Sequence, residues 1–223
     1  LEAYQYIASE WATIGRAYLM TILVTVIGTA LSLVITSTFA FVVSNDKLPG
    51  HKILMFLCIF TMLFNGGLVA SYYVYSNIFH IKNTIWALIV PTFLMSPFNV
   101  VLVKNYFSNS ISPSILEAAR MDGAGVFAVF TKIVMPLSVP IMATVGLMTA
   151  IGYWNDWTNG LYYLTENGGS QYYTIQLVLN RINENINFLA NNSDVAAKAA
   201  QQLPSTTMRM AIAVIGILPI MCA

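Results

Sequence analysis

Side chains able to do chemistry are few in this chain and stand far apart. His51 and His80 are its two histidines, and Cys58 and Cys222 its two cysteines. Each cysteine lies in an apolar segment, where a thiol behaves as a small hydrophobe and says nothing about redox compartment. No Gly-x-x-x-x-Gly-Lys-Ser/Thr loop occurs, so a backbone cradle for nucleotide phosphates must come from another chain. No catalytic centre can be assembled, and the chain reads as a non-enzyme. Two groups of residues remain. One is Trp154-Asn155-Asp156-Trp157, with Asp156 at the outer end of a long apolar run. An ionisable group there is a pathway or gate candidate, with helix capping or packing as the alternative. The other is the stretch 112–140, SPSILEAARMDGAGVFAVFTKIVMPLSVP.

The elements that position these groups follow from composition. Of 223 residues, 57% are hydrophobic and only 9% charged, with a mean hydropathy of +0.70. A soluble domain carries about a quarter charged residues, so this chain cannot cover a water-facing surface. Ten basic and nine acidic side chains leave a net charge of +1, no footprint for nucleic acid. The charges are clustered, and the gaps between them approach the roughly 20 residues that cross a bilayer. The fold class is therefore all-α and polytopic, with spans near 18–43, 53–72, 84–106 and 133–153. A fifth starts near 206 and is cut off, and both ends read as truncated. Pro91 and Pro97 fall inside the third span, and Pro136 and Pro140 near the start of the fourth; each removes a backbone donor and predicts a kink.

Lys47, Lys52, Lys104, Arg120 and Lys132 gather on one face, which the positive-inside rule makes cytoplasmic. Loops 44–52 and 107–132 then face the cytoplasm, and 73–83 and 154–205 the outside. The two histidines fall on opposite faces and cannot share a metal. The outer segment is rich in Asn and Tyr, carries a turn signal at Glu166-Asn167-Gly168-Gly169, and has helical spacing over 173–190. Asn99, following Phe98 inside a span, must find a partner, because a buried unpaired amide is costly.

Within 112–140, Ser112-Pro113 reads as a helix start, with a side-chain cap and proline at the first helical position. A helix over 113–121 would be about 13 Å long. Asp122-Gly123 breaks it, and Asp122 is expected to cap a second helix beginning near Ala124. Ala118, Ala119 and Ala124 allow close approach of another surface. Leu116 with Arg120, and Phe127 with Phe130, form pairs on their helices. A two-helix elbow with an apolar knob in a watery loop is a docking element for a soluble partner.

This pattern resembles the signature loop of permease subunits of ABC-type importers: Glu-Ala-Ala, three residues, Gly, nine residues, then Ile-x-Leu-Pro. The chain has Glu117-Ala118-Ala119, Gly123, Ile133 and Pro136 at every matching spacing, with Met135 in place of Leu. Phe60-Thr61-Met62-Leu63-Phe64-Asn65-Gly66-Gly67, the run 117–124 and Gly152-Tyr153-Trp154-Asn155-Asp156-Trp157 narrow the resemblance to carbohydrate-importer permeases of maltose-type systems. Within that group the likeness is to the branch importing oligosaccharides released from plant or algal polysaccharides.

The resemblance implies a single permease domain over 1–223, with five of about six spans present. It implies a homologous second permease subunit, two ATPase subunits that hold ATP and Mg, an extracellular sugar-binding protein, and a sugar or oligosaccharide carried across the bilayer of a bacterial or archaeal plasma membrane. This chain itself would bind no cofactor. Leu116, Glu117, Ala118, Ala119, Asp122, Gly123, Phe127 and Phe130 would couple it to the ATPase, with Leu116 and Ala119 facing that partner and both phenylalanines anchoring the second helix. Asn65, Asn99, Trp154, Asn155, Asp156 and Trp157 would line the pathway or its gate. An ion-coupled secondary carrier, an importer permease for a non-sugar solute, and a structural adaptor are the rival readings. Spans without central charges argue against the first rival.

Overall fold

The computed structural model describes residues 11–45 and 48–191. Every regular element among them is helical. Helix α1 (Trp11–Ser44) is apolar on all faces and, over Ile14–Ser44, is long and apolar enough to cross a membrane. Several of its hydroxyls turn back on their own backbone, Thr21 to the Ala17 carbonyl (2.8 Å) and Thr38 to the Val34 carbonyl (2.7 Å). That return bond gives these two hydroxyls a partner inside an apolar helix.

The other expected spans are broken. The second is two helices, α2 (His51–Leu63) and α3 (Gly67–Tyr73), the latter passing into a π-helical turn at Val74–Ile78. The two arms are bent by 117°. The corner is Asn65-Gly66-Gly67: Gly67 takes φ +81°, open to glycine and strained for most side chains. The Asn65 Oδ1 accepts the Gly67 N–H at 2.9 Å. The expected continuous third span, 84–106, is instead a short α4 (Trp86–Ile89), a turn holding Pro91, and α5 (Pro97–Ser110), with Pro97 at its start. Proline cannot supply the N–H that a continuous helix needs.

After α6 (Pro113–Met121) come α7 (Val126–Val129), a π-helical turn (Phe130–Val134) and α8 (Met135–Leu137). Helix α9 (Val139–Asn155) leaves this arm at 78°. Pro136 and Pro140 each withhold an N–H, and the backbone changes register around them. At the bend, the Ser138 N–H goes to the Met135 carbonyl, and its hydroxyl covers the Val134 carbonyl at 2.6 Å. The described residues thus give one spanning helix, or three spans if each bent pair counts as one. The expected fifth span from about 206 lies outside the described residues, as do Asp46, Lys47 and 192–205.

The chain closes with α10 (Thr158–Tyr163), α11 (Glu166–Gly169) and α12 (Ile175–Asn191), the last matching the helical spacing read over 173–190. Two compact units emerge. One takes Val26–Ser71 and Ile89–Gly152. Its core is Ala40, Val103, Phe107, Ile111, Val129, Val134 and Val145. Gly152 lets Phe93 lie against α9, since a Cβ there would meet the ring at 2.9 Å. The Ser32 hydroxyl fixes the same turn by donating to the Phe93 carbonyl at 3.0 Å.

The other unit takes residues up to Thr25, Tyr72–Leu88 and the chain from Tyr153. Its core joins Ile14, Ala17 and Ile175. The Thr21 hydroxyl also accepts the first N–H of α12, from Ile175, at 2.9 Å. A helix N-terminus leaves such donors unpaired, and here a side chain 154 residues away takes one.

Candidate functional site

The elbow is built by two local rules. Pro113 occupies the first turn of α6, where its missing N–H costs nothing. The stop is a Schellman closure. Gly123 adopts φ +81°, its N–H donates to the Arg120 carbonyl (3.1 Å), and the Ala124 N–H donates to the Ala119 carbonyl (2.9 Å). Two expectations change here. Ser112 makes no side-chain cap; its hydroxyl pairs with that of Ser114 at 2.7 Å. Asp122 ends α6 instead of starting the next helix, whose first flanking residue is Gly125. Two glycines within three positions give the chain room to turn before a new helix starts.

The faces of α6 also differ from expectation. Leu116 and Ala119 pack inward, with Ala124, against the unit's own core. The outward apolar surface is Ile115, Met121, Val126 and Phe127, with Met121 88% and Phe127 78% exposed. Phe130 does anchor, its ring 5.1 Å from that of Phe41, whereas Phe127 does not. The α6 spacing explains the swap: 116 and 119 share one face, and 115, 118 and 122 the other. Ala118 is exposed beside Ile115. Glu117 and Arg120 line a cleft of about 220 Å³ whose other walls include Phe41, Ser44 and Asn45 at the end of α1, and Phe107 and Ile111. Glu117 therefore faces the permease-side loop as well as solvent.

The second expected set divides. In the first unit, Asn65 serves the corner before Gly67. Asn99 is buried and donates from Nδ2 to the Thr149 hydroxyl of α9 at 3.2 Å. In the second unit, the Trp154 ring lies 6.3 Å from Tyr18, and the Asn155 Oδ1 accepts from Gln176 at 3.5 Å. Asp156 is half-buried and caps α10, its Oδ1 accepting N–H bonds from Thr158 (3.1 Å) and Asn159 (3.3 Å). Burial pushes its carboxyl above the usual range, and those N–H bonds oppose the shift. Trp157 is exposed. Asn65, Asn99 and Asp156 thus each serve a structural role within their own unit.

A polar clasp in the second unit has no counterpart in the sequence pattern. Asn83, at φ 59°, donates its N–H to the Tyr163 carbonyl (3.1 Å). Its Oδ1 accepts both the N–H (2.7 Å) and the hydroxyl (3.1 Å) of Thr165. Gly168 and Gly169 seat it, since a Cβ on Gly169 would lie 2.8 Å from that oxygen. Beneath the clasp Tyr163 stacks on Tyr72 (5.8 Å) and meets Tyr75 edge-on (6.0 Å), while the Lys82 ammonium donates to the Tyr72 hydroxyl at 2.8 Å. The double glycine is visible in the sequence as a turn signal; Asn83, 82 residues upstream of Thr165, is not. Among the described residues no cluster of His, Cys, Asp and Glu could hold a metal.

Comparison with known proteins fits this geometry. Residues 19–222 match the family described as binding-protein-dependent transport system inner membrane component. The chain is 36% identical over 221 residues to the polygalacturonan/rhamnogalacturonan transport system permease protein YtcP of Bacillus subtilis, covering 99% of this chain and 74% of that one. It is 35% identical to Protein LplC of the same organism, covering 99% and 72%. Its fold superimposes with a TM-score of 0.82 on a bacterial ABC transporter involved in the import of the acidic polysaccharide alginate. That match has 27% identity and covers 99% of this chain and 75% of that one. The chain belongs to the family of binding-protein-dependent transport inner membrane components, and is a membrane-embedded, non-catalytic permease subunit of the ABC-importer class.

Proposed function

We propose that this permease carries a sugar into the cytoplasm, and more narrowly an oligosaccharide cut from an acidic polysaccharide. The observation behind the reading is a pair of activities, polygalacturonan/rhamnogalacturonan transport and alginate import, in proteins similar over 99% of the chain. Chain 1–223 then acts as one permease domain with five of about six spans, the second, third and fourth of them broken. A second, homologous permease completes the pathway, an extracellular binding protein delivers the sugar, and ATP with Mg is held by two separate ATPase subunits. Loops 44–52 and 107–132 face the cytoplasm, and 154–205 faces out.

Coupling is assigned to the elbow. Its exposed apolar residues Ile115, Met121, Val126 and Phe127 seat in an ATPase cleft, with Ala118 permitting close approach and Glu117 adding a polar contact. Leu116, Ala119 and Phe130 tie the elbow to the permease, and Asp122-Gly123 sets the angle between its helices. Helical stiffness suits this role because a coil would absorb a displacement instead of passing it on. On the outer side, Trp157 and Asn155 offer a ring face and an amide to a sugar, with Trp154 behind them. Asn65, Asn99 and Asp156 shape the same path indirectly.

The test is reconstitution with candidate ATPase and binding-protein partners. Uptake and stimulated ATP hydrolysis with uronic-acid oligosaccharides, lost in Phe127→Asp together with ATPase pull-down, is the expected result. Transport of neutral sugars alone would reject the acidic branch. Ion-driven flux from the permease without any ATPase would reject the importer mechanism.

A further inference from the structure

Where α2 begins, the unit built on Val26–Ser71 and Ile89–Gly152 holds a groove of about 380 Å³ that the transport reading leaves unused. Its polar end is made by Lys52 and His51 of α2 and Lys104 of α5; its wall is Met55, Phe56 and Ile59. No carboxylate lines it among the described residues. Nor does either lysine have an ion pair or hydrogen bond among those residues. The His51 ring is oriented by its Nδ1, which meets the Leu48 carbonyl at 2.9 Å. Two ammonium groups sharing one groove repel each other unless an anion sits between them.

The apolar wall does not end at the groove. Phe56 and Phe60 of α2 and Phe64 just past its end form a ladder, with ring centroids separated by 6.0 and 4.5 Å. All three are exposed, as are their neighbours Leu57 and Leu63. A small inorganic anion satisfies the lysines but leaves this ladder bare. A molecule with an anionic head and a hydrocarbon tail covers both.

We propose that this groove binds an anionic phospholipid, its headgroup phosphate between Lys52 and Lys104 and one acyl chain along Phe56, Phe60 and Phe64. Basic pockets between membrane helices on the cytoplasmic side recognise such headgroups through the same pairing of charge and depth. The leaflet rests on the sidedness proposed above; the groove does not.

The experiment uses the assembled transporter, extracted in detergent and probed by native mass spectrometry after incubation with phosphatidylglycerol or phosphatidylcholine. Wild type is expected to retain phosphatidylglycerol in preference. Lys52→Gln/Lys104→Gln is expected to lose that preference roughly tenfold, and Lys52→Arg/Lys104→Arg to keep it, which separates lost charge from a misfolded protein. Equal retention by wild type and the glutamine variant overturns the site. Displacement of the lipid by inorganic phosphate at matched concentration overturns the lipid assignment, as does an Ile59→Cys cross-link to a second permease subunit across an occupied groove. Labelling of Lys104→Cys in a Cys58→Ala/Cys222→Ala background by an impermeant reagent reports sidedness separately. Reaction from the outside rejects the cytoplasmic leaflet, and lipid retention still decides the groove.

Discussion

The elbow and the Asn83 clasp solve the same problem, holding short helices in place between longer ones, by opposite means. The elbow is closed by backbone alone. Its stop is two N–H bonds around Gly123, between residues at most five apart. The clasp is closed by one residue, Asn83, whose side chain and backbone N–H reach residues 80 or more positions later. A locally encoded turn keeps its shape even when its neighbours shift. A turn held by a distant amide keeps its shape only while both stretches of the chain stay in place. The first arrangement suits a part that must move as a rigid piece, and the second suits a part that must hold its place.

The largest effect is expected at Gly123. A β-branched residue at φ +81° costs about 1–2 kcal/mol or more from backbone sterics, and nothing crowds the position otherwise. In Gly123→Val, coupled uptake is expected to drop roughly tenfold or more, with membrane insertion intact and amide exchange at 163–169 unchanged. Normal uptake would show that the closure is dispensable.

Asn83→Leu removes the acceptor for both Thr165 bonds and keeps the unfavourable φ. Its cost is about 2–3 kcal/mol, read as faster amide exchange across 163–169 with the elbow unaffected. Exchange that rises equally at 119–124 would mean the two regions are not independent. Gly169→Ala probes the same seat more gently. Its Cβ would press on the Asn83 oxygen and, at 3.1 Å, on the Leu164 backbone, for about 1–2 kcal/mol measured by the same exchange.

The elbow is the more legible region for the reasons that make it rigid. Ser112-Pro113 and Asp122-Gly123 bound α6 because proline and glycine act on their own φ, so the sequence carries both signals directly. What it does not carry is which face packs. The alternation of Leu116 and Ala119 with Ile115 and Ala118 is amphipathic either way round, and only the position of Phe107 and Ile111 beneath it decides. The broken spans are legible in part. Prolines announce the bend after α8, but the 117° corner at Asn65-Gly66-Gly67 hides inside a run whose mean hydropathy looks like one crossing. The clasp is illegible in principle, because no local pattern at Asn83 announces Thr165.

The smallest expected effect concerns Asp156, whose carboxyl burial holds above the usual range. The folded state then binds its proton more readily than the unfolded chain does. This group's contribution therefore falls as pH rises from the ordinary carboxylate value through the folded one. Asp156→Asn keeps an oxygen for the Thr158 and Asn159 N–H bonds and removes the charge. Its melting temperature should lose that part of the pH dependence and otherwise change little, whereas Asp156→Ala should cost about 1 kcal/mol as a lost cap. A profile in Asp156→Asn that parallels wild type would place the titrating group elsewhere.

The 78° bend at Ser138 has a mechanical meaning. Two stiff arms meeting near a right angle form a bell crank. The arm Val126–Leu137 is about 18 Å long and α9 about 25 Å at 1.5 Å per residue. Pivoted at the corner, a shift of about 2 Å at the short end sweeps the far end of the long one by roughly 3 Å, at right angles to the push. The buried Ser138, with hydroxyl and N–H both committed to the preceding arm, is the rivet of that joint. The prolines flanking it, Pro136 and Pro140, withhold two of the N–H groups that a straight helix through the corner would use.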